Sequence, residues 1–434
     1  MSRISLSRIS SARISSAGFA ALPVAVVAVL TPLPAAAASI GAPAAAAPLT
    51  AATAATASAT TDFYRAPAPL PSGRPGVLIR SRAATVDLGA GAPSTKAWTV
   101  MYHSRTTQGT DNAVTGTVIR PTAPWTGSGA RPVVGFAVGT QGPAQKCAPS
   151  KQLVAGSDYE NSNIAQALRK GWAVAVTDYE GYTTGSTATY TTGRSEGHAV
   201  LDVVRAAQHL SGSSVTGTSP LTLWGYSQGG GASAWATVLQ PSYAPELRLK
   251  GTASGGVPAD LEAVGDSLNA NVGAAFLLYS VVGFAAAYPQ QVPLYSHLNA
   301  DGLAAVKQVK TQCTTDSLPA FAGQDLSRYF KNGETVTHFS NIPSVAKVIS
   351  DNSITSKALL PKVPVFQYHG AADEIVPMPQ ARTLHTTWCA KGVKTAFQLF
   401  PGEHLTTNSE AAPLAVQFLA DRYAGRAYAG NCLI

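Results

Sequence analysis

Hydrophobic residues along this chain fall into short runs that alternate with turn residues and with helical spacing. Each run is rich in β-branched residues and is bounded by Gly, Pro, Asn or Asp, which is typical of buried strands. Strands are predicted at 114–119, 132–138, 173–178, 221–225, 249–254, 363–368 and 395–400, with helices at about 197–210 and 229–239. Alternating strands and helices predict an α/β fold with a mostly parallel sheet and helices on both faces.

One interval interrupts this alternation. No clear strand occurs between Gly256 and Val363, where a helical pattern is broken by Pro and Gly, and we predict a helical cap insertion at about 258–345. Its most apolar part, 272–289, carries no charged residue. A transmembrane helix would fit this length, but two glycines and many alanines favour a buried helix or a cap over an apolar pocket.

The first residues have the pattern of an export signal. Three arginines are followed by an apolar stretch and by small residues suited to cleavage, so we predict a signal peptide at 1–38. The Ala/Thr-rich segment 39–61 has nothing large to bury and is predicted to be a linker. Residues 62–434 are predicted to form the folded domain, and a secreted protein is expected.

Composition and charge exclude several classes of protein. With 45% hydrophobic and 12% charged residues the chain is not disordered, and a net charge of +8 without a Lys/Arg-rich run argues against nucleic-acid binding. Four cysteines fit two disulfides in an exported protein, and sequence alone allows three pairings. No C-x-x-C motif occurs, so a zinc ribbon has no support and no metal site is predicted.

The strongest chemical signal is Gly225-Tyr226-Ser227-Gln228-Gly229. This G-x-S-x-G motif lies between a predicted strand and a predicted helix, the setting of a nucleophile elbow in an α/β-hydrolase. The helix that begins there favours negative charge developing beside the serine. Ser227 is therefore the predicted nucleophile.

A serine nucleophile needs a base and an acid, which follow it in the order Ser, Asp, His in this fold. His404 lies in the loop after the last strand, whereas His385 falls in a helical pattern and is read as a packed histidine. Asp373 follows the strand at 363–368 and is preferred over its neighbour Glu374 as the partner of His404.

Two backbone N–H groups are expected to bind the oxyanion. One is that of Gln228, directly after the nucleophile, and the other belongs to the Gly-rich loop after 132–138. Pro143 has no N–H, so Gln141 or Gly142 is predicted. A Gly-rich turn is equally expected there for structural reasons alone.

Taken together, these residues resemble the secretory lipase family, the lipase-A-type α/β-hydrolases of fungi and actinobacteria. The resemblance covers about 63–432 and is carried by several short motifs. These are Phe63-Tyr64, Pro75-Gly76, Leu78-Ile79-Arg80-Ser81, Cys147-Ala148-Pro149-Ser150, Thr177-Asp178-Tyr179-Glu180-Gly181, Leu201-Asp202-Val203-Val204-Arg205-Ala206-Ala207, Gly225-Tyr226-Ser227-Gln228-Gly229-Gly230 and the His404 loop.

The resemblance implies a triad of Ser227, Asp373 and His404, and a cap that forms an acyl-binding tunnel. It also implies the disulfides Cys147–Cys313 and Cys389–Cys432. Yeast members carry an acidic residue in the oxyanion loop, where this chain has Gln141 and Gly142. The linker at 39–61 is not part of the family pattern.

The sequence therefore predicts a secreted serine ester hydrolase, foremost a triacylglycerol lipase, that needs no cofactor. Its expected partner is a lipid or other acyl ester, at a lipid–water interface or in solution, and no membrane span is expected in the mature chain. Rival interpretations are a short-chain esterase, a polyester hydrolase or a peptidase that binds an amine through Asp260, Glu262 and Asp266. A non-catalytic binding protein is a further alternative, and the oligomeric state is left open.

Overall fold

The computed structural model describes residues 62–432. The predicted signal peptide (1–38) and linker (39–61) lie outside the described residues. Nine strands form one sheet in the order β1-β2-β3-β5-β4-β6-β7-β8-β9. The strands are β1 (Leu78–Ala84), β2 (Thr95–Arg105), β3 (Asp111–Pro121), β4 (Val133–Ala137), β5 (Ala173–Thr177), β6 (Leu221–Tyr226), β7 (Leu249–Gly255), β8 (Val365–Gly370) and β9 (Thr395–Phe400).

The sheet has an antiparallel side and a parallel side. Strands β1, β2, β3 and β5 pair antiparallel in that order, whereas β5, β4, β6, β7, β8 and β9 pair parallel. This confirms the predicted α/β fold with a mostly parallel sheet. The sequence pattern did not predict β1 and β2. Strand β1 is a partly exposed edge strand that carries Arg80 and Arg82 instead of an apolar run. Strand β2 is mostly buried but mixes polar residues with apolar ones, so it lacks a continuous apolar run.

Thirteen helices accompany the sheet in residues 62–432. They are α1 (Pro149–Ala155), α2 (Asn161–Arg169), α3 (Gly193–His209), α4 (Gln228–Tyr243), α5 (Leu261–Leu268), α6 (Ala274–Ala287), α7 (Leu294–His297), α8 (Ala300–Val309), α9 (Thr314–Phe321), α10 (Val336–Ser340), α11 (Pro343–Asn352), α12 (Met378–Ala390) and α13 (His404–Tyr423). Two helix pairs, α3 with α4 and α2 with α13, pack on the central strands. The main hydrophobic core lies between these helices and the sheet.

Helices α5 to α11 follow one another between β7 and β8, and we call 261–352 the helical segment. They run past residue 345, the predicted end of the cap, to Asn352. Their buried side chains form a second hydrophobic cluster, which also takes in Ile375 and Val376 from the loop after β8. This second cluster therefore borders the carboxyl ends of the strands, where ligands bind in parallel α/β sheets.

The uncharged stretch predicted at 272–289 contains α6, which has 14 residues. Most of its side chains are buried within the second cluster. None of the helices in the described part of the chain has the length and apolar character needed to cross a membrane.

Candidate active site

Ser227 occupies the turn between β6 and α4, and its backbone is strained. Its φ is 60° and its ψ −124°, a conformation that costs a non-glycine residue on the order of 1–3 kcal/mol. A Cβ at Gly225 would lie 2.2 Å from the Gly229 oxygen, and one at Gly229 would lie 1.9 Å from the Ala137 oxygen. The glycines of the motif are thus required by close packing, which holds Ser227 at the carboxyl end of β6.

The structure brings Ser227, His404 and Asp373 into one hydrogen-bonded chain. Ser227 Oγ lies 2.9 Å from His404 Nε2. His404 Nδ1 lies 2.9 Å and 2.8 Å from the two carboxylate oxygens of Asp373. Ser227 and Asp373 lie in the loops after β6 and β8, and His404, predicted in the loop after β9, is the first residue of α13 directly after that loop. Parallel strands place these loops at the same edge of the sheet. The geometry allows the serine O–H to donate to an imidazole whose other N–H donates to the carboxylate.

Asp373 is held by other groups in addition to His404. Its Oδ1 accepts the N–H groups of Ile375 at 3.1 Å and Val376 at 2.8 Å, and His369 Nε2 lies 3.2 Å from Oδ2. Burial raises the pKa of Asp373, but hydrogen bonds from His369 and His404 outweigh it and hold the pKa well below its usual range. The carboxylate is therefore ionised when it faces the imidazole.

The competing acid and base predicted from the sequence have other contacts. Glu374 is exposed, and its carboxylate accepts the backbone N–H of His404 at 3.2 Å without reaching the imidazole. His385 lies on α12, where its ring nitrogens are 3.5 Å from Cys389 Sγ and from Thr395 Oγ1. Glu374 thus supports the backbone of the His404 loop, while His385 contacts the disulfide-bearing side of α12.

Gln228 begins α4, and its side chain is anchored away from Ser227. Its Nε2 donates to Glu196 Oε1 at 2.7 Å, and the same oxygen accepts the Thr191 N–H at 3.0 Å. Burial raises the pKa of Glu196 to about 7. This contact was not predicted from the sequence, where Glu196 precedes the helix predicted at about 197–210.

The loop after β4 (139–144) is held from two sides. Gly139 donates its N–H to Glu160 Oε2 at 2.6 Å, so this group is already engaged. The Gly142 oxygen accepts from the Tyr182 hydroxyl at 2.7 Å. Within residues 62–432 the N–H groups of Thr140, Gln141 and Gly142 have no hydrogen-bond acceptor. The predicted donors Gln141 and Gly142 are therefore free, and Thr140 joins them as a candidate that the sequence did not single out.

Thr140 also connects this loop to an apolar pocket that Ser227 lines. Its Oγ1 lies 2.8 Å from the hydroxyl of Tyr190, which lines that pocket. The Thr140 oxygen accepts from Thr314 Oγ1 at 3.1 Å, a contact with the helical segment. Among the three residues with a free N–H group, Thr140 is therefore the one whose side chain contacts a residue of the pocket wall.

Two disulfides join the cysteines in the pairs that the family resemblance implies. Cys147 is bonded to Cys313 and Cys389 to Cys432. The first bond ties the chain after the 139–144 loop to the start of α9. At Gly142, with φ of 104°, a Cβ would lie 2.6 Å from Cys313 Cα, so loop and helical segment are in direct contact there.

An apolar pocket leads from Ser227 into the helical segment. Its walls come from α5, α6, α10, α11 and the loop after β8, and they include Leu277, Phe284, Phe339, Val345, Ile349 and Ile375. Ser227 and Gln228 are among the residues that line this pocket. A chain of methylene groups entering it would be surrounded by aliphatic and aromatic side chains, with an ester carbonyl left near Ser227.

The three acids considered as an amine-binding site are not buried within the pocket. Asp260 caps α5 by accepting the N–H groups of Glu262 and Ala263. The side chains of Glu262 and Asp266 border the pocket but are exposed to solvent. Among residues 62–432, no cluster of three His, Cys, Asp or Glu side chains has the arrangement of a metal site.

Comparison with known proteins identifies the family. Residues 148–431 match the secretory lipase family. Lipase 5 of Candida albicans is 30% identical over 392 residues, which cover 85% of this chain and 82% of the relative. Secreted triacylglycerol lipase LIP5 of Malassezia furfur is 31% identical over 65% of this chain and 76% of its own.

A solved structure agrees with the sequence relatives. The crystal structure of Candida antarctica lipase A in its closed state superposes with a TM-score of 0.74 at 28% identity, over 84% of this chain and 85% of that one. The extent of the family match, the curated relatives and the shared fold agree over most of the described residues. The chain is a member of the secretory lipase family.

Proposed function

We propose that this protein is a secreted triacylglycerol lipase in which Ser227, His404 and Asp373 are the catalytic triad. The observation that carries the proposal is the 2.9 Å separation of Ser227 Oγ from His404 Nε2, with Asp373 on the other imidazole nitrogen. A serine hydroxyl at its ordinary pKa is a weak nucleophile, and this arrangement supplies the base it needs.

In the first half-reaction, Ser227 Oγ attacks the ester carbonyl while His404 Nε2 takes the hydroxyl proton. Asp373 stabilises the imidazolium and keeps the proton of Nδ1 in place. The tetrahedral intermediate collapses as His404 gives its proton to the leaving alcohol, which leaves an acyl-enzyme on Ser227. In the second half-reaction, water attacks this ester while His404 takes its proton, and His404 then returns the proton to Ser227 Oγ as the Oγ–acyl bond breaks and the fatty acid leaves.

The negative oxygen of each intermediate needs preorganised donors. We assign the N–H of Gln228 as one donor and an N–H from Thr140, Gln141 or Gly142 as the other. Support comes from the start of α4 at Gln228, where the helix dipole favours negative charge, and from the free N–H groups of the 139–144 loop. The Glu196–Gln228 contact keeps the Gln228 side chain away from the serine.

The proposed substrate is a long-chain acyl ester. The apolar pocket beside Ser227 supports this, since a fatty-acyl chain would bury aliphatic carbon there at about 25 cal/mol per Å². In this assignment the helical segment is the cap and its pocket is the acyl-binding tunnel. The Malassezia furfur relatives, described as secreted triacylglycerol lipases, support glycerol as the alcohol part of the ester.

We place the mature protein outside the cell. Family membership, the export pattern of residues 1–38 and two disulfides in the described chain support this location. The substrate would then be met as an emulsion or a surface layer.

The test is hydrolysis of emulsified triolein and of p-nitrophenyl esters with acyl chains from two to sixteen carbons. Wild type should release fatty acid from triolein, and Ser227→Ala should lose about 10⁴-fold or more in kcat. Ser242→Ala is the matched control, because Ser242 lies on α4 and donates to the Leu239 oxygen at 3.2 Å. It should keep wild-type activity.

Two outcomes would contradict the proposal. Activity that persists in a folded Ser227→Ala variant would remove Ser227 from the mechanism. Activity confined to short soluble esters would retain the triad but exclude triacylglycerol as the substrate.

A further inference from the structure

His369 is a buried histidine that the proposed mechanism does not use. It lies on β8, pairs with Leu399 of β9, and is 0% exposed to solvent. Its ring stacks on Phe397, with the ring centroids 6.3 Å apart and the planes inclined by 20°. Buried polar atoms normally have a hydrogen-bond partner, so both ring nitrogens of a buried imidazole are expected to be hydrogen-bonded. In His369 only one of them is hydrogen-bonded to a described residue.

The contacts of His369 are concentrated on one nitrogen. Nε2 lies 2.8 Å from the Val376 oxygen and 3.2 Å from Asp373 Oδ2. Nδ1 is buried and has no partner within residues 62–432. Since both groups facing Nε2 are acceptors, the proton of a neutral imidazole lies on Nε2, and Nδ1 is bare.

We propose that His369 is a positioning residue that donates its Nε2–H to Asp373 and to the Val376 oxygen, and so orients the carboxylate that faces His404. This inference rests on the proposed triad and extends it by one residue. His369 touches neither substrate nor reacting atoms. It acts through Asp373, whose remaining donors, Ile375 and Val376, are the backbone of the same short loop.

The double contact of Nε2 has a structural consequence. The Val376 oxygen and the Asp373 carboxylate belong to opposite ends of the four-residue turn after β8, so one imidazole closes that turn. Ile375 and Val376 line the apolar pocket. His369 therefore fixes the position of the Asp373 carboxylate relative to the adjoining pocket wall, and Phe397 holds the His369 ring in place.

Loss of the donor should alter both rate and pH profile. Without an N–H on Oδ2, the carboxylate still faces His404 but has lost one of the donors that hold it in place, and kcat should fall by about tenfold, the effect of one lost hydrogen bond to a charged group. The carboxylate that has lost this donor attracts the imidazolium of His404 more strongly. The acidic limb of kcat/KM should therefore move to higher pH by roughly 0.5 unit.

Other titratable groups near the pair remain in all variants. The Tyr226 ring is 5.1 Å from the His404 ring, and Glu374 accepts the His404 N–H. Glu403 precedes His404 and caps α13, and Arg382 lies 5.9 Å from the Phe397 ring. Because none of these is changed, a shift of the acidic limb reports the contact between His369 and Asp373.

The experiment compares His369→Phe with His369→Gln in the full-length chain. Phe keeps an aromatic ring on Phe397 without a donor, whereas Gln restores an N–H at the place of Nε2. The matched control is His385→Phe, because His385 also packs on Phe397, at 5.7 Å, without contacting Asp373. Active-site titration with a serine-reactive phosphonate normalises each rate to the folded fraction.

The expected result is a drop in kcat and a shifted acidic limb for His369→Phe, recovery of both for His369→Gln, and wild-type behaviour for His385→Phe. A folded His369→Phe enzyme with an unchanged kcat and pH profile would overturn the proposal. So would equal losses in His369→Gln and His369→Phe, or the same shift in the His385 control.

A measurement on the wild-type protein covers the case in which His369→Phe does not fold. Nitrogen-15 NMR of labelled histidines reports which ring nitrogen carries the proton. We expect His369 to be protonated at Nε2, and protonation at Nδ1 would exclude donation to Asp373. This readout does not depend on lipase activity, so failure of the proposed function and failure of this inference are distinguishable.

Discussion

Thr314 donates its backbone N–H to the Gln141 oxygen at 3.0 Å, which links the helical segment to the loop that follows β4. Thr314 Oγ1 donates to the Thr140 oxygen at 3.1 Å, and Ala144 donates to the Gln312 oxygen at 3.4 Å. Together with the Cys147–Cys313 bond, these contacts clamp the loop that we assign to the oxyanion site. The geometry of this loop therefore depends on residues about 170 positions later in the chain.

Replacing both Cys147 and Cys313 by Ser should reduce stability and activity together. The bond closes a loop with a sequence separation of 166, for which chain entropy alone gives about 5 kcal/mol. We expect a lower Tm in calorimetry and a several-fold lower kcat, since the 139–144 loop loses its covalent tie.

The control is the pair Cys389→Ser and Cys432→Ser, whose bond spans 43 positions and is worth about 4 kcal/mol. This variant should lose stability without the specific loss of kcat. Equal kcat losses in the two double variants, measured well below both Tm values, would exclude a special role for the first bond.

Glu160 should make the stability of the protein fall as pH rises. Its carboxylate accepts from Gly139 at 2.6 Å and from Asn408 at 3.3 Å. Burial, and then the charge of Asp158, raise the pKa of Glu160 from 4.5 to about 8. The folded state therefore binds this proton more tightly than the unfolded state. The resulting stabilisation is fully present below pH 4.5 and is lost as the pH rises from 4.5 to about 8.

Glu160→Gln should remove this dependence. The free energy of unfolding in guanidinium is measured at pH 5 and at pH 8 for both proteins. The difference between the two pH values should be smaller in the variant than in wild type by more than about 1 kcal/mol, because one pKa unit corresponds to ~1.4 kcal/mol. Glu410→Gln, a change at an exposed glutamate of α13, should keep the wild-type difference. An unchanged slope in Glu160→Gln would show that another group titrates.

Val345→Phe should shorten the acyl chains that the enzyme accepts. Val345 lines the pocket on α11, and a larger ring there fills space that a long acyl chain would occupy. We expect the ratio of kcat/KM for sixteen-carbon over four-carbon p-nitrophenyl esters to fall by about tenfold, a difference of ~1.4 kcal/mol.

Val348→Phe is the matched control for that change. Val348 lies on the same helix and is 3% exposed, as Val345 is, but does not line the pocket. Overpacking should lower its Tm by a similar amount while its chain-length ratio stays at the wild-type value. A parallel fall in both ratios would mean that general loosening of the helical segment, and not pocket volume, sets the preference.

Gly229→Ala should prevent formation of the elbow. Its Cβ would lie 1.9 Å from the Ala137 oxygen, so backbone must move either in β4 or in α4. We expect a loss of at least about 3 kcal/mol in stability, or no folded protein. Gly231→Ala, whose Cβ would meet Pro258 side-chain atoms at 3.2 and 3.4 Å, should change stability by no more than about 1 kcal/mol. Comparable expression and Tm for both variants would contradict the packing argument.

Local sequence patterns were sufficient for strands β3 to β9 and for the three residues of the proposed triad. A buried parallel strand reads as a continuous apolar run, and the loops at the carboxyl ends of such strands meet at one edge of the sheet. Ser227, Asp373 and His404 each follow such a run, so their proximity could be predicted without coordinates. Strands β1 and β2 were not predicted, because β1, with Arg80 and Arg82, is not buried on both faces and β2 mixes polar residues with its apolar ones.

What the sequence determined by itself was thus the α/β architecture, the G-x-S-x-G turn and the order of the proposed triad residues, because each depends on a short contiguous stretch of sequence. Tertiary structure alone decided the contacts of His369 with Asp373, of Glu160 with Gly139 and of Thr314 with Gln141. A buried polar side chain has no periodic signature, and its partner is chosen by how separate elements pack. Those contacts depend on distances across the fold, and a one-dimensional pattern carries no information about them.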